Sequence, residues 1–132
     1  MTAAASPKAK APILLIEDEP SVVAFLRAAL ERRGYLVKHA ASGSAGLEQL
    51  AHGHFGGVIS DIRMPGAVNG ADVHAWIQAN RPELRTRIIL ISGDTANSET
   101  QWLLREQATP CIEKPFRVQE LISVVEKTFG KP

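Results

Sequence analysis

The chain has 132 residues, a length that suits one domain with a hydrophobic core of its own. It is 45% hydrophobic and 22% charged with a net charge of +1, so no overall charge draws it to nucleic acid or to an anionic membrane. No apolar run approaches the roughly 20 residues that cross a bilayer, and the first residues lack the apolar stretch of a secretory signal. We therefore expect a cytoplasmic protein that binds neither nucleic acid nor membrane directly.

The first residues differ in composition from the rest of the chain. Residues 2–12 are rich in Ala, Ser, Pro and Lys and show no hydrophobic period. We predict a flexible leader over residues 1–11 and a single domain over residues 12–130. The only cysteine, Cys111, has no partner for an internal disulfide and no nearby Cys or His with zinc-site spacing.

Short apolar runs alternate with amphipathic stretches along the domain. The runs ILLI and IILI are continuous rather than alternating, as in strands that are buried on both faces. We predict strands at residues 13–16, 35–37, 58–60, 88–91 and 110–113, each followed by a helix. This alternation predicts an α/β fold, a parallel sheet with helices on both faces.

Capping and breaking residues mark the predicted helices. The residues that mark helix starts are Pro20, Ser42, Gly70 and the pair Ser98 and Gln101, and those that mark ends are Gly34, Gly53, Pro82 and Gly130. Gly46 inside the second helix costs about 1 kcal/mol relative to Ala, which makes that helix the weakest of the five by sequence.

Polar side chains follow the predicted strands where each strand ends. Ligands of such sheets bind at the carboxyl ends of the strands, near the switch in strand order. The residues found there are Glu17, Asp18 and Glu19 after strand one, Asp61 after strand three, Ser92 and Asp94 after strand four, and Lys114 after strand five. We therefore expect carboxylates, a hydroxyl and a lysine at one edge of the sheet.

This set of groups suits phosphoryl chemistry with a metal ion. Clustered carboxylates repel one another and need a cation, and oxygen ligands without Cys or His favour magnesium, manganese or calcium. A lysine can neutralise a phosphate oxygen, and a carboxylate left over can act as the nucleophile that forms an aspartyl phosphate. The spacing alone does not say which carboxylate attacks.

Four segments of the chain resemble a known family. ILLIEDEP, VISDIRMPG, IILISGD and CIEKPF are similar, in order and spacing, to the signature segments of response-regulator receiver domains, and the resemblance covers residues 13 to about 129. It implies a flavodoxin-like doubly wound five-stranded parallel sheet in the order 2-1-3-4-5, like that of the chemotaxis regulators. The stretch RPELRTRIILISGDTANSET is also similar to the receivers of hybrid histidine kinases.

The resemblance assigns roles to individual residues. Asp61 matches the phosphorylated aspartate. Glu17 and Asp18 match the acidic pair that holds Mg²⁺, for which Mn²⁺ can substitute, with Asp18 binding directly and Glu17 through water. The backbone carbonyl of Arg63 matches a further metal ligand.

Three more positions match the family's phosphate-binding and switching residues. Lys114 matches the lysine that pairs with the acyl phosphate, and Ser92 matches the hydroxyl that turns toward the phosphoryl group on activation. Pro115 matches a proline that often follows a cis peptide bond.

The sequence departs from the family at two places. Cys111 stands three residues before Lys114, where the family has an aromatic residue that relays the signal, so we hypothesise a muted relay. Gly70 stands nine residues after Asp61, one position further than the family's glycine, which predicts a bulge in the intervening loop.

Arg63 and Asp94 each lie two residues beyond a site residue, at positions that tune phosphoryl lifetime in the family. As a pair they could screen the acyl phosphate from water. The simpler interpretation, which we favour, is two solvated charges worth about 0–1 kcal/mol together.

The four histidines, which share no metal-ligand spacing, are predicted at the surface, and an exposed Trp102 would indicate a partner surface.

The function implied is a phosphorylation-controlled switch that takes its phosphoryl group from a histidine kinase or a histidine phosphotransfer protein. It is not an enzyme beyond its own phosphorylation and slow dephosphorylation, and its output partner is unknown. Both a stand-alone receiver and a piece of a hybrid kinase stay open. Two alternatives remain: a phosphatase of the haloacid dehalogenase type, disfavoured because Arg63 replaces its second aspartate, and a phosphorylation-independent interaction module, which Cys111 keeps open.

Overall fold

The computed structural model describes residues 11–64, 66–93, 98–105 and 107–132. All but the last residue of the predicted leader therefore lies outside the described part of the chain. The strands are β1 (Ile13–Ile16), β2 (Val37–Ala40), β3 (Gly57–Asp61), β4 (Ile88–Ser92) and β5 (Cys111–Glu113). The helices are α1 (Pro20–Arg32), α2 (Gly43–His52), α3 (Gly70–Asn80), α4 (Ser98–Arg105) and α5 (Val118–Phe129), with a 3-10 turn at Pro82–Leu84.

The strands form one parallel sheet in the order β2-β1-β3-β4-β5, which confirms the predicted topology. Ile13 pairs with Val37 on one side and with Gly57 on the other, so the chain winds in opposite directions from β1. The crevice of such a sheet opens where this reversal occurs, between the carboxyl ends of β1 and β3. In the described part of the chain, no helix has the length and apolarity that a membrane span requires.

The core has two layers because successive strand residues point to opposite faces of the sheet. One layer packs β1 residues Leu14 and Ile16 with side chains of α2, α3 and α4. The other packs Ile13 and Leu15 with side chains of α1 and α5. Both layers are supplied by the continuous apolar runs, as expected for strands covered on both faces.

Local signals place the helices against this sheet. Pro20 occupies the first turn of α1, and the Ser42 hydroxyl accepts a hydrogen bond from the amide of Ala45 at 3.1 Å, as predicted for a cap. Gly46 fits because a Cβ there would overlap the side chain of Ile16, so α2 lies directly on β1. That close approach explains a glycine inside a helix.

Three sequence predictions were wrong in detail. The second strand was predicted at residues 35–37, but β2 runs from Val37 to Ala40. The apolar residue that misled the prediction, Tyr35, is buried outside the strand, and its hydroxyl donates to the Gly130 carbonyl at 2.5 Å. His74 was predicted at the surface, but it is buried with Nε2 2.9 Å from the Thr109 hydroxyl. Ser98 was predicted to cap a helix, but it is the first residue of α4 itself.

Candidate functional site

Three carboxylates meet at the carboxyl edge of the sheet. Glu17 and Asp18 follow β1 directly, Asp61 ends β3, and one oxygen from each lies within 4.8 Å of the others. They meet because neighbouring parallel strands end at the same edge. Glu17 is fully buried and Asp61 is 5% exposed, so water screens their mutual repulsion poorly.

The two oxygens of Glu17 have different surroundings. Oε2 accepts hydrogen bonds from the amides of Asp18 and Glu19, both at 3.1 Å. Oε1 is buried and accepts no hydrogen bond from the residues that the structure describes. Burial raises the pKa of Glu17 to about 7; the charge of Asp61 also raises it, while the Glu19 amide and the charge of Lys114 oppose the rise. A buried oxygen that lacks a partner, beside two more carboxylates, is the arrangement that a hard divalent cation would satisfy.

Lys114 supplies the positive charge of the site. Its Nζ lies 2.8 Å from Asp61 Oδ2, 3.6 Å from Glu17 Oε1 and 3.7 Å from Glu19 Oε1. Burial alone would lower the pKa of Lys114, but the hydrogen bond and charge of Asp61, together with Glu17 and Glu19, outweigh it and raise that pKa. Lys114 is therefore an ammonium at neutral pH, and it donates a hydrogen bond to Asp61, which also lies beside the acidic pair.

The backbone of the neighbouring strand holds Lys114 in place. Its amide donates to the carbonyl of Ser92 at 2.8 Å, and the peptide bond to Pro115 is cis, as the resemblance implied. Ser92 itself is the last residue of β4 and is buried. The structure thus brings Ser92 and Lys114 to the edge that carries Asp61, while the switching role of the Ser92 hydroxyl stays a prediction.

The loop after Asp61 folds back on it. The amide of Arg63 donates to Asp61 Oδ1 at 3.2 Å, and the Arg63 side chain is exposed. A Cβ at Gly70 would overlap the carbonyl oxygen of Asp61, so only glycine allows α3 to start this close to the site. Asp94 lies outside the described residues, as does Pro65 in the loop predicted to bulge, so the Arg63–Asp94 pair and the bulge stay predictions.

Cys111 occupies the first position of β5 and is partly buried against the core layer of α2, α3 and α4. Burial raises the pKa of its thiol to about 11, and the charges of Glu113 and Asp61 add to the rise. The thiol is therefore protonated at neutral pH and is a poor nucleophile. This environment favours the small apolar role over a redox role.

Sequence reasoning missed two neighbours of the site. Glu19 was interpreted only as a helix-start residue, but its carboxylate also reaches Lys114. His39 was predicted as an ordinary surface residue, but its Nε2 lies 2.8 Å from the main-chain carbonyl of Glu17. The run Glu17-Asp18-Glu19 was a signal for the first, whereas only the strand register reveals the second.

Comparisons with known proteins agree with this geometry. A family model described as response regulator receiver domain matches residues 13–126. The response regulator receiver protein CpdR of Brucella abortus (strain 2308) is 30% identical over 115 residues, covering 87% of this chain and 93% of CpdR. The uncharacterized transcriptional regulatory protein YkoG of Bacillus subtilis (strain 168) is 29% identical over 114 residues, 86% of this chain and 49% of YkoG. The chain thus spans about half the length of YkoG.

Solved structures share the fold. The receiver domain of sensor histidine kinase PA1611 from Pseudomonas aeruginosa PAO1, with a magnesium ion coordinated in its active site cleft, matches with a TM-score of 0.79 and 24% identity, covering 92% of this chain and 98% of that one. Since the family model spans most of the domain and CpdR matches over nearly its whole length, the chain belongs to the response-regulator receiver domain family of two-component signalling.

Proposed function

We propose that this receiver accepts a phosphoryl group on Asp61 from a phosphohistidine of a histidine kinase or a histidine phosphotransfer protein. The observation that carries the proposal is the position of the Asp61 carboxylate. It lies between the Lys114 ammonium, 2.8 Å from Oδ2, and the acidic pair, with the three carboxylates within 4.8 Å of one another. A phosphoryl group placed on Asp61 would meet a cation on one side and a metal-binding pair on the other.

The other two carboxylates suit a different task. Glu17 is buried with one oxygen already held by two amides, so it is not open to an incoming phosphorus. Asp18 follows it directly in the sequence and shares the cluster. In the proposed step an Asp61 oxygen forms the new O–P bond as the P–N bond of phosphohistidine breaks, and the imidazole leaves with the electron pair. Lys114 stabilises the charge on an oxygen of the transferring group.

The donor set fits Mg²⁺, with Mn²⁺ as a substitute. The fit rests on two features of the described residues: the buried Glu17 Oε1 accepts no hydrogen bond from them, and the cluster that they form offers carboxylate oxygens without a His or Cys ligand. Glu17, Asp18, Asp61 and the Arg63 carbonyl would hold the ion. When bound, Mg²⁺ neutralises charge on the phosphoryl oxygens. The magnesium in the PA1611 receiver supports the same assignment here.

The surface beside the site suits a protein donor in the cytoplasm. Phe25 of α1 is 40% exposed and its ring lies 5.7 Å from that of Phe116, which follows Lys114 and Pro115. These rings, with Val22, line an open groove of about 610 Å³ that reaches Lys114. Exposed aromatic surface next to reactive groups is typical of protein-binding sites, so a kinase or phosphotransfer partner could place its phosphohistidine here.

Phosphorylation then shifts a two-state equilibrium through Ser92, with no further enzymatic activity than slow dephosphorylation. Cys111, partly buried, has too little volume to act as the aromatic relay, so we expect a muted response of the face formed by α4, β5 and α5. Restoring an aromatic ring with Cys111→Tyr should enlarge the phosphorylation-dependent NMR shifts on that face. Equal shifts in both proteins would contradict the muted relay.

Intact-mass spectrometry tests the central proposal. The protein is incubated with acetyl phosphate, with and without Mg²⁺, and wild type is compared with Asp61→Asn and with Glu31→Gln, a control for an exposed carboxylate on α1. We expect one phosphoryl adduct on wild type and on the control, only with Mg²⁺, and none on Asp61→Asn. No adduct on folded wild type, together with no binding of beryllofluoride, would indicate the phosphorylation-independent module instead.

A further inference from the structure

We infer that His39 is a positioning residue for the acidic pair, fixing the peptide unit between Glu17 and Asp18 through a hydrogen bond from its imidazole. The inference rests on the proposed Mg²⁺-dependent function and extends it to a residue outside the carboxylate cluster. His39 lies on edge strand β2, opposite Leu15, two residues before Glu17. Its Nε2 is 2.8 Å from the Glu17 carbonyl oxygen.

The need for a side-chain donor follows from the strand register. Glu17 continues the β1–β2 ladder by one bond, because its amide donates to the Ala40 carbonyl at 3.1 Å. In a regular parallel ladder, the Glu17 carbonyl would accept the next hydrogen bond from the amide of Ser42. Ser42 is instead the N-cap of α2, where the chain has left the ladder. The imidazole of His39 lies at the Glu17 carbonyl in place of that amide. A carbonyl only accepts, so Nε2 must carry a proton.

The contact acts on the metal-binding oxygens through one rigid peptide plane. The carbonyl that His39 holds and the amide of Asp18 belong to the same planar unit. That amide donates to Glu17 Oε2 at 3.1 Å, and Oε2 is bonded to the same carboxyl carbon as Oε1, which accepts no hydrogen bond from the described residues. Fixing the carbonyl therefore fixes the amide, and the amide fixes how Glu17 presents Oε1 to the cluster.

His39 is itself anchored from the other side. The Gln49 side chain of α2 donates through Nε2 to the His39 carbonyl at 2.9 Å. A continuous series of hydrogen bonds therefore runs from α2 through the edge strand to the first turn after β1. Groups that orient metal ligands in this way are commonly worth a tenfold to hundredfold change in metal affinity.

Two variants separate positioning from general structure. His39→Leu keeps bulk and removes the donor, whereas His39→Gln places an amide nitrogen where Nε2 lies. Arg27→Met is the matched control, since Arg27 Nη2 donates to the Val37 carbonyl at 3.2 Å, at the opposite end of the same strand. The measurements are the Mg²⁺ dissociation constant by calorimetry and the free energy of unfolding in urea.

We expect His39→Leu to weaken Mg²⁺ binding by about tenfold, His39→Gln to restore most of the affinity, and Arg27→Met to bind Mg²⁺ as wild type does even if it is less stable. Equal Mg²⁺ affinity in wild type and His39→Leu would overturn the positioning role and leave the proposed function intact. A wild type that does not bind Mg²⁺ would overturn both. On wild type alone, ¹⁵N NMR in alkaline buffer should show the Nε2–H tautomer of His39, and an Nδ1–H tautomer would refute the inference.

Discussion

The two ends of the sheet treat polar groups in opposite ways. At the amino end, Arg87 donates from Nε to the Gly56 carbonyl at 2.5 Å and from Nη2 to the Phe129 carbonyl at 2.7 Å. The guanidinium also lies over the Phe129 ring, 5.8 Å from its centroid, and Tyr35 donates to the Gly130 carbonyl. Each donor meets a main-chain acceptor, and together they tie the end of α5 to the start of β3.

At the carboxyl end, like charges are held together instead. Glu17, Asp18 and Asp61 share one cluster, and the ammonium of Lys114 contacts Asp61. Among the described residues, none donates a hydrogen bond to the buried Oε1 of Glu17. The comparison teaches that the polar groups at the amino end stabilise the fold, whereas the clustered carboxylates at the carboxyl end destabilise it. A ligand that binds these carboxylates would offset the destabilisation. Substitutions at the amino end should therefore lower stability and leave phosphorylation unchanged, whereas removal of a buried charge at the carboxyl end should raise stability.

The largest expected effect is the pH dependence of stability that Glu17 causes without Mg²⁺. Burial raises its pKa from 4.5 to about 7. A raised carboxyl pKa contributes stability that is complete below 4.5 and is lost as the pH rises through about 7. We expect Glu17→Gln, which cannot ionise, to gain about 2–4 kcal/mol of unfolding free energy over wild type between pH 4.5 and pH 8.

Urea denaturation at a series of pH values, in EDTA, measures this difference. The exposed Glu31→Gln should follow wild type throughout, and adding Mg²⁺ should stabilise wild type at pH 8 but not Glu17→Gln. A difference between Glu17→Gln and wild type that does not change with pH would contradict the assignment of the unstable charge to Glu17.

The next effect belongs to the amino end. Arg87→Met removes two charge-assisted hydrogen bonds to carbonyls and the contact with the Phe129 ring, so we expect a loss of about 2–3 kcal/mol in unfolding free energy. Phosphorylation by acetyl phosphate should stay at the wild-type level, because Arg87 lies at the opposite end of the sheet. Arg32→Met, on the exposed surface of α1, is the matched control and should change stability little. A loss of phosphorylation in folded Arg87→Met would contradict the separation of the two ends.

The sequence predicted the other four strands better than the edge strand β2. The continuous apolar runs of β1, β3 and β4 identified these strands because both faces are buried. Strand β2 was misplaced because it contains polar residues: Lys38 is exposed and His39 is half-buried. The apolar Tyr35 lies outside the strand and donates a hydrogen bond to the Gly130 carbonyl after α5. An apolar run marks burial, and at β2 the buried residues and the strand do not coincide.

The sequence predicted which residues form the site, but not all of the contacts between them. Charged residues after strands are visible in the sequence, and the strand order brings Asp61, Glu17 and Lys114 together. Contacts that depend on register were not predictable, such as His39 with the Glu17 carbonyl, or His74 with Thr109 across α3 and the start of β5. The capping box of α3, with Asn69 and Asp72 bonded reciprocally at 2.9 Å, was visible as Asn-x-x-Asp but was not used.

A smaller effect should come from His74, whose polar contact lies near the amino end of β5. Burial lowers the pKa of His74 below 6.5. Because the unfolded chain then binds the proton more tightly than the folded protein, the contribution of His74 to stability is complete above pH 6.5 and is lost as the pH falls toward the pKa of the folded state. The unfolding free energy falls by at most about 1.4 kcal/mol per pH unit. His74→Gln, which keeps an amide for Thr109, should lose less stability than wild type between pH 7 and pH 5.

His52 is the matched control, since its side chain is 74% exposed and lies 3.5 Å from Glu48. His52→Gln should show no gain over wild type in acid. If His74→Gln and wild type lose stability in parallel as the pH falls, then His74 takes up its proton equally in the folded and the unfolded chain, and the acid sensitivity must come from another group.

The smallest expected effect is at Ala108, just before β5, whose φ of 52° lies in the left-handed region. A Cβ in that region costs roughly 1–2 kcal/mol, part of which Ala108→Gly would recover, while the greater freedom of glycine in the unfolded chain takes back about 0.4–1 kcal/mol. We expect a net gain of about 0.5 kcal/mol in urea denaturation, without change in phosphorylation. Ala24→Gly, at an exposed position inside α1, should instead lose about 1 kcal/mol, because glycine there only weakens the helix. Opposite signs for the same substitution would locate the gain in the left-handed backbone rather than in the removal of a methyl group. A loss at the exposed Ala108 would mean that the freedom of glycine in the unfolded chain outweighs the backbone strain that the substitution relieves.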